Sequence, residues 1–207
     1  LTARSDIHRP SATSRERNNI RGRAFIQDTR TECTCVIESS FCFLPGVGST
    51  TERRFWREGL LSWSDFLCTP SVARIGRARK ASYDKQVAAA VERYAENDSR
   101  YFGVAFPARE HWRLYEWLRE RAAYLDIETD SFGRITVVGL YGRGRMTSFV
   151  HGESLDACRL AEALRQYDFL VTFNGTTFDL PMLLRQFPDL PMDHAHIDEL
   201  KKEHERL

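Results

Sequence analysis

Apolar and polar positions change their period midway along the chain. Between residues 36 and 120 they recur with helical spacing or in short bursts. Phe41-Cys42-Phe43-Leu44 is such a burst, closed by the turn signal Pro45-Gly46-Val47-Gly48. Thr50 and Thr51 are placed to cap a helix through Arg54, Phe55 and Trp56, with Gly59 suited to the position just past its end. Ser62-Trp63-Ser64-Asp65 has capping-box character and opens a short turn over Phe66-Leu67. Arg74 to Lys80 reads as a basic connector. Tyr83, Val87, Val91 and Tyr94 share one helical face, which predicts a helix over 83–96. Pro107 suits the first position of a further helix through Trp112, Tyr115 and Leu118.

From residue 123 the period shortens. Ala123 to Glu128 and Ile135 to Tyr141 read as strands. Gly142-Arg143-Gly144-Arg145 is a hairpin turn into a third strand over Met146 to Val150. Ser154 is placed to cap a helix whose inner face is Ala157, Leu160, Ala161 and Leu164. Phe169 to Phe173 is an unbroken apolar run between helices, the pattern of a strand buried on both faces. A helix over 178–187 and a short strand over Ala195 to Asp198 follow. The expected order is therefore a three-stranded meander, then helix, strand, helix, strand. This α/β half is expected to form one domain over 107–207, behind a helical region over 36–106.

Composition narrows the function classes. Hydrophobic residues at 42% and charged residues at 29% supply a core, and a net charge of +1 excludes a globally basic nucleic-acid coat. No apolar run approaches the roughly 20 residues of a membrane helix. The five cysteines, Cys33, Cys35, Cys42, Cys68 and Cys158, form no C-x-x-C pair, which points to a reducing, cytoplasmic setting. Residues 1–35 carry seven Arg and almost no large apolar residues, and the chain opens on Leu1. They are expected to be a disordered extension, the fold starting near Val36.

Two constellations carry chemistry. Asp126 and Glu128 alternate with Ile127, so both carboxylates leave one face of the first strand while Ile127 enters the core. Alone, this pair reads as a strand ending in solvated acids. Asn174-Gly175-Thr176-Thr177-Phe178-Asp179 follows the apolar strand and opens a helix. Here Gly175 is expected to permit the sharp turn, Phe178 to anchor the helix start, and Asp179 either to cap the helix or to aim back over the strand ends. With the two strands as neighbours, Asp126, Glu128 and Asp179 converge at one edge. Three such carboxylates fit two Mg²⁺ or Mn²⁺ ions for phosphodiester hydrolysis.

These segments, together with Ile135 to Tyr141, Val171 to Pro181 and His196-Ile197-Asp198, resemble the YprB-type ribonuclease-H-like exonucleases of the DEDD group. The likeness extends to Leu44-Pro45-Gly46-Val47-Gly48 and Trp63 to Leu67. It implies a ribonuclease-H-like α/β fold and metal-dependent 3′→5′ exonuclease activity on single-stranded or frayed nucleic acid. By that likeness Asp126 and Glu128 match the first exonuclease motif and Asp179 the second. It also implies nucleic-acid contacts from Asn174, Gly175 and Phe178. The group's fourth carboxylate, in a Tyr-x-x-x-Asp motif on a later helix, has no match, so the domain is expected to be C-terminally truncated. Asp198 is then expected either to end its strand or to lend a carboxylate. The competing class is a catalytically incomplete nucleic-acid-binding module.

The Leu44 to Gly48 segment resembles the hairpin of a helix-hairpin-helix motif, in which Gly46 and Gly48 would bring backbone N–H groups to a phosphate. Against this stands a plain helix-starting turn. Trp112 and Trp117 are expected in the core. Limited proteolysis checks the domain start: residues 1–35 should be removed to leave a resistant core, and resistance of that segment would place it in the fold.

Overall fold

The structure, a computed structural model, describes residues 36–200. The extension expected over 1–35 and the charged end after Leu200 lie outside the described residues. Residues 36–43 form turns rather than a helix, so among the described residues nothing helical precedes the Pro45–Gly48 turn. Helix α1 (Ser49–Arg57) starts on Gly48 with no side-chain cap, against the expectation for Thr50 and Thr51. Gly59, at φ 86°, ends it as expected. Helix α2 (Trp63–Cys68) carries the complete Ser62/Asp65 capping box. Helix α3 (Arg77–Ala95) begins earlier than its apolar period, taking in half of the supposed basic connector. Lys80 is buried there, its ammonium on Asp84 and over the Phe66 ring.

Helix α4 (Ser99–Ala105), capped by Asp98, was not legible in the period. The segment after Pro107 is a 3₁₀ helix, Ala108–Leu114, running into α5 (Tyr115–Leu118), rather than one α-helix. Then follow β1 (Ala122–Thr129), β2 (Ile135–Gly142), β3 (Arg145–Val150), α6 (Ala157–Leu164), β4 (Phe169–Thr172), α7 (Asp179–Gln186) and β5 (Ala195–Asp198). Asp156, not Ser154, caps α6; Ser154 Oγ instead accepts the Val150 N–H.

The sheet runs β3-β2-β1-β4-β5. The meander is antiparallel, and β1, β4 and β5 are parallel. Arg143 and Gly144, both at positive φ, make the two-residue β2–β3 turn. Alternation sorts side chains onto two faces. Ala123, Leu125, Ile127 and Leu170 join Leu160 and Leu164 of α6 and Leu183 of α7 in one core. Ala122, Phe169, Val171, Ala195 and Ile197 face the other way and join the core of residues 37–118, which includes Phe41, Phe55, Phe66 and Phe102. β4 is thus buried on both faces, which is why its sequence does not alternate. The second layer stops short of the meander: Tyr124, Tyr141 and Met146 remain exposed.

The helical layer is tied together by one buried cation. Arg113 is 8% exposed and donates through Nη2 to Glu52 Oε2 at 2.8 Å, through Nε to Glu110 at 2.8 Å and through Nη1 to Ser40 Oγ at 3.1 Å. Glu52, 1% exposed, also accepts the Phe41 N–H at 2.6 Å. From the same 3₁₀ segment, His111 Nδ1 accepts the His196 N–H at 3.1 Å, so Nε2 carries the proton toward the Gly103 and Phe106 carbonyls. Edge strand β5 is thereby attached to the layer. Among the described residues no helix is long and apolar enough to cross a membrane.

The contrast between buried and exposed ion pairs is measurable. Glu52→Gln should cost about 1.5–3 kcal/mol in denaturant unfolding, because it takes the charge out of a buried hydrogen bond while Arg113 stays paired with Glu110. Glu116→Gln, which breaks the exposed pair with Arg119, should cost roughly 0.2–1 kcal/mol. Equal costs would mean that the Arg113 cluster carries no special share of the stability.

Candidate active site

Asp126 and Glu128 project from β1 on the face opposite Ile127, and both are exposed, as alternation requires. Gly139 lies directly across from Asp126 on β2. The β1–β4 register ends at Tyr124 and Val171, so the sheet offers the Ile127 N–H no strand partner on that side. Asp179 takes its place: its Oδ1 accepts the Ile127 N–H at 3.1 Å. Asp179 is the first residue of α7, which starts on Phe178 without a side-chain cap. It reaches back to β1 rather than capping its own helix. Gln186 Oε1 accepts the Ile135 N–H at 3.1 Å and Arg185 Nη2 donates to the Gly133 carbonyl at 2.8 Å, so α7 is fixed to the meander at its other end too.

Electrostatics mark this spot. Asp179 is 2% exposed. Burial raises its carboxyl above the ordinary aspartate range, and the charges of Asp126 and Asp198 add to the rise. A buried acid repelled by neighbouring acids disfavours its own ionised form. Oxygen donors of this kind suit a hard cation. Among the described residues, no three His, Cys, Asp or Glu side chains form a ready-made cation cage.

The turn before α7 differs from the expectation for Gly175. The left-handed residue is Asn174, at φ 61°, a conformation that asparagine tolerates better than most residues. Gly175 is needed for close approach: a Cβ there would lie 2.0 Å from Thr172 Oγ1. Asn174 closes the turn through its Oδ1, which accepts from the Thr177 hydroxyl. Phe178 does not anchor the helix in the core; it is exposed, as is Phe173.

Asp198 neither ends its strand idly nor stands free. Its Oδ1 accepts the Asn174 N–H at 2.9 Å and the Leu200 N–H at 3.2 Å, and Oδ2 accepts the Thr176 N–H at 2.9 Å. Burial alone would push its carboxyl up; the bonds from Thr176, Asn174 and Leu200 outweigh that and hold it below the usual range. Beside it, His196 Nε2 pairs with Thr172 Oγ1 at 2.8 Å. His196 and Asp198 also line a groove of about 1020 Å³, together with Thr176, Trp112 and Tyr115. Trp112, expected in the core, is exposed on this groove, whereas Trp117 packs against Tyr94 and Phe102.

The sequence reading also passed over Phe132, which is 89% exposed at the tip of the β1–β2 connection. Asp130 Oδ1 accepts the N–H groups of Phe132 at 3.0 Å and Arg134 at 2.8 Å, so the tip is an ordered turn. An aromatic inside Asp-Ser-Phe-Gly was the available signal. Gly46 and Gly48 belong to the helical layer, where Leu44 and Val47 are buried and Tyr83 of α3 donates its hydroxyl to the Pro45 carbonyl at 2.6 Å. The structure groups them with α3, not with the carboxylates.

Residues 123–206 match the family described as the RNase_H superfamily. The mixed five-stranded sheet with flanking helices is the ribonuclease-H-like α/β fold. No curated protein matches the chain.

Asp179→Asn keeps an acceptor for the Ile127 N–H and removes the buried charge. Because the folded carboxyl is raised, its ionisation costs stability, and that cost grows as pH climbs through the shifted range. The variant should therefore melt above the parent at neutral pH, with the gain vanishing below the ordinary aspartate pKa. A neutral-pH melting point at or below the parent's would contradict this.

Proposed function

We propose that this domain is a divalent-metal-dependent nuclease acting 3′→5′ on single-stranded or frayed ends of nucleic acid. The observation that carries the reading is the buried Asp179, which reaches across to the Ile127 N–H between Asp126 and Glu128 and feels the Asp126 charge. Similarity to the RNase_H superfamily over these residues supports the same chemistry.

In this reading Asp126 and Asp179 would hold Mg²⁺ or Mn²⁺, and Glu128 would share an ion and orient the attacking water. The ions supply a water of lowered pKa and charge stabilisation at the leaving 3′ oxygen. The chain itself orients and excludes. Asp179, braced on the Ile127 N–H, keeps one carboxylate oxygen in a fixed direction. Phe132, Phe173 and Phe178 lie exposed on the segments that bear the carboxylates and offer faces on which unpaired bases stack. Stacking of this kind tolerates any base and favours a frayed end over a closed duplex. Asn174 and Gly175 shape the turn beside them.

A second reading, a nucleic-acid-binding module without chemistry, draws on the Asp198 bonds. Both of its oxygens are engaged by backbone amides, which leaves it poorly placed to complete a metal site as a fourth carboxylate.

Two measurements separate the readings. Mn²⁺ should raise the melting temperature of the parent, and raise it much less in Asp126→Asn/Asp179→Asn. Mononucleotides should be released from a 3′-labelled oligonucleotide with Mn²⁺, and release should stop in EDTA. Binding of the oligonucleotide without cleavage, and without a Mn²⁺-dependent rise, would replace the enzyme with the binding module.

A further inference from the structure

We infer that Asp198 is a positioning residue, a brace from β5 that sets the Asn174–Asp179 turn and through it the direction of Asp179. The inference rests on reading Asp126, Glu128 and Asp179 as the working carboxylates. Three features of the turn make an outside brace necessary. Asn174 is held in the left-handed region, which a non-glycine residue leaves easily unless its surroundings determine it. The turn's own bonds lie beyond Asn174: Thr177 and Phe178 donate to its carbonyl, at 3.2 and 3.1 Å. The N–H groups at its entry, Asn174 and Thr176, point instead to a neighbouring strand, and Asp198 accepts both.

The two bonds use different oxygens of one carboxylate, so the group is held by its geometry and not only by its charge. Bonds from amides to an ionised acceptor are among the stronger ones in proteins. The floor under the turn is set from the same strand. Gly175 lies against Thr172, and Thr172 Oγ1 is paired with His196, two residues before Asp198. β5 thus supports the turn from below through His196 and grips it from the side through Asp198. Asp179 follows the turn directly, so a shift of the turn moves its reach to the Ile127 N–H. Asp198 would not touch metal or substrate in this role. It acts through Asp179.

The test uses the full chain and two substitutions, Asp198→Asn and Asp198→Glu. Amide hydrogen exchange is followed across residues 173–178 and, as a reference, across β1–β3; Mn²⁺ affinity is read in parallel by electron paramagnetic resonance. A brace predicts exchange over 173–178 faster by about tenfold or more in both variants, with β1–β3 unchanged. Glu restores the charge but moves the carboxylate by one methylene, so it should not rescue the turn. Mn²⁺ affinity should fall several-fold in both although Asp126, Glu128 and Asp179 are intact. Lost affinity with parent-like exchange over 173–178 would make Asp198 a ligand and overturn the brace. Rescue of exchange by Glu would overturn it in favour of a charge effect, and faster exchange throughout the sheet in favour of a general structural role. If the parent binds no Mn²⁺, the metal reading falls, and the exchange comparison still decides whether Asp198 holds the turn.

Discussion

The buried Arg113 guanidinium is the point from which the arrangement of this protein is held. It satisfies Glu52, Glu110 and Ser40 at once, and through Glu52 the Phe41 amide. Those partners come from the turns at 36–43, from α1 and from the 3₁₀ segment, so one cation joins parts of the chain that share no strand pairing. From the 3₁₀ segment the order passes through His111 to the backbone of β5, and from β5 to the turn before α7. The helical layer is therefore more than an appendage to the α/β half. It covers β4 and β5 and sets the edge strand whose last residue grips the candidate site. Removing Arg113 would leave the Glu52 and Glu110 carboxylates uncompensated, which is why the cluster depends on that one cation.

At the other end of that chain of contacts, the site runs against stability. Asp179 is buried, raised by desolvation, and repelled by Asp126 and Asp198. Asp198 shows the opposite balance, because backbone amides surround it and reward its charge. Two aspartates in one small region thus serve different ends. One is kept in a state that a cation would relieve; the other is spent on holding backbone. The difference lies in which effect wins: burial at Asp179, and the bonds from Thr176, Asn174 and Leu200 at Asp198.

Much of this was legible in the chain. Alternation around Ile127 placed Asp126 and Glu128 on one face, and the unbroken run at 169–173 announced a strand covered on both sides, which ends at Thr172 and leaves Phe173 exposed. Ser62 with Asp65 and the Gly142–Arg145 turn are local signals with local causes, and both formed as read. Local chemistry misled where a nearby group competed. Thr50 and Thr51 lost the start of α1 to Gly48, and Ser154 lost α6 to Asp156, because one residue of register decides which side chain meets the free amides. The 3₁₀ segment 108–114 and the helix at 99–105 both pack against β5, and no period along the chain records that packing.

What the sequence determined by itself is the strands, most of the helices and the faces their side chains take, since those depend on neighbours one to four residues away. The tertiary structure alone decided what Asp179 and Asp198 do. Asp179 could cap its helix or cross to β1, and it crosses because β4 ends early and leaves the Ile127 N–H without a strand partner. Asp198 could end a strand or join a cluster, and it instead binds amides 22 and 24 residues away. A carboxylate's role is set by which donors surround it, and those donors are brought together only by the packed sheet.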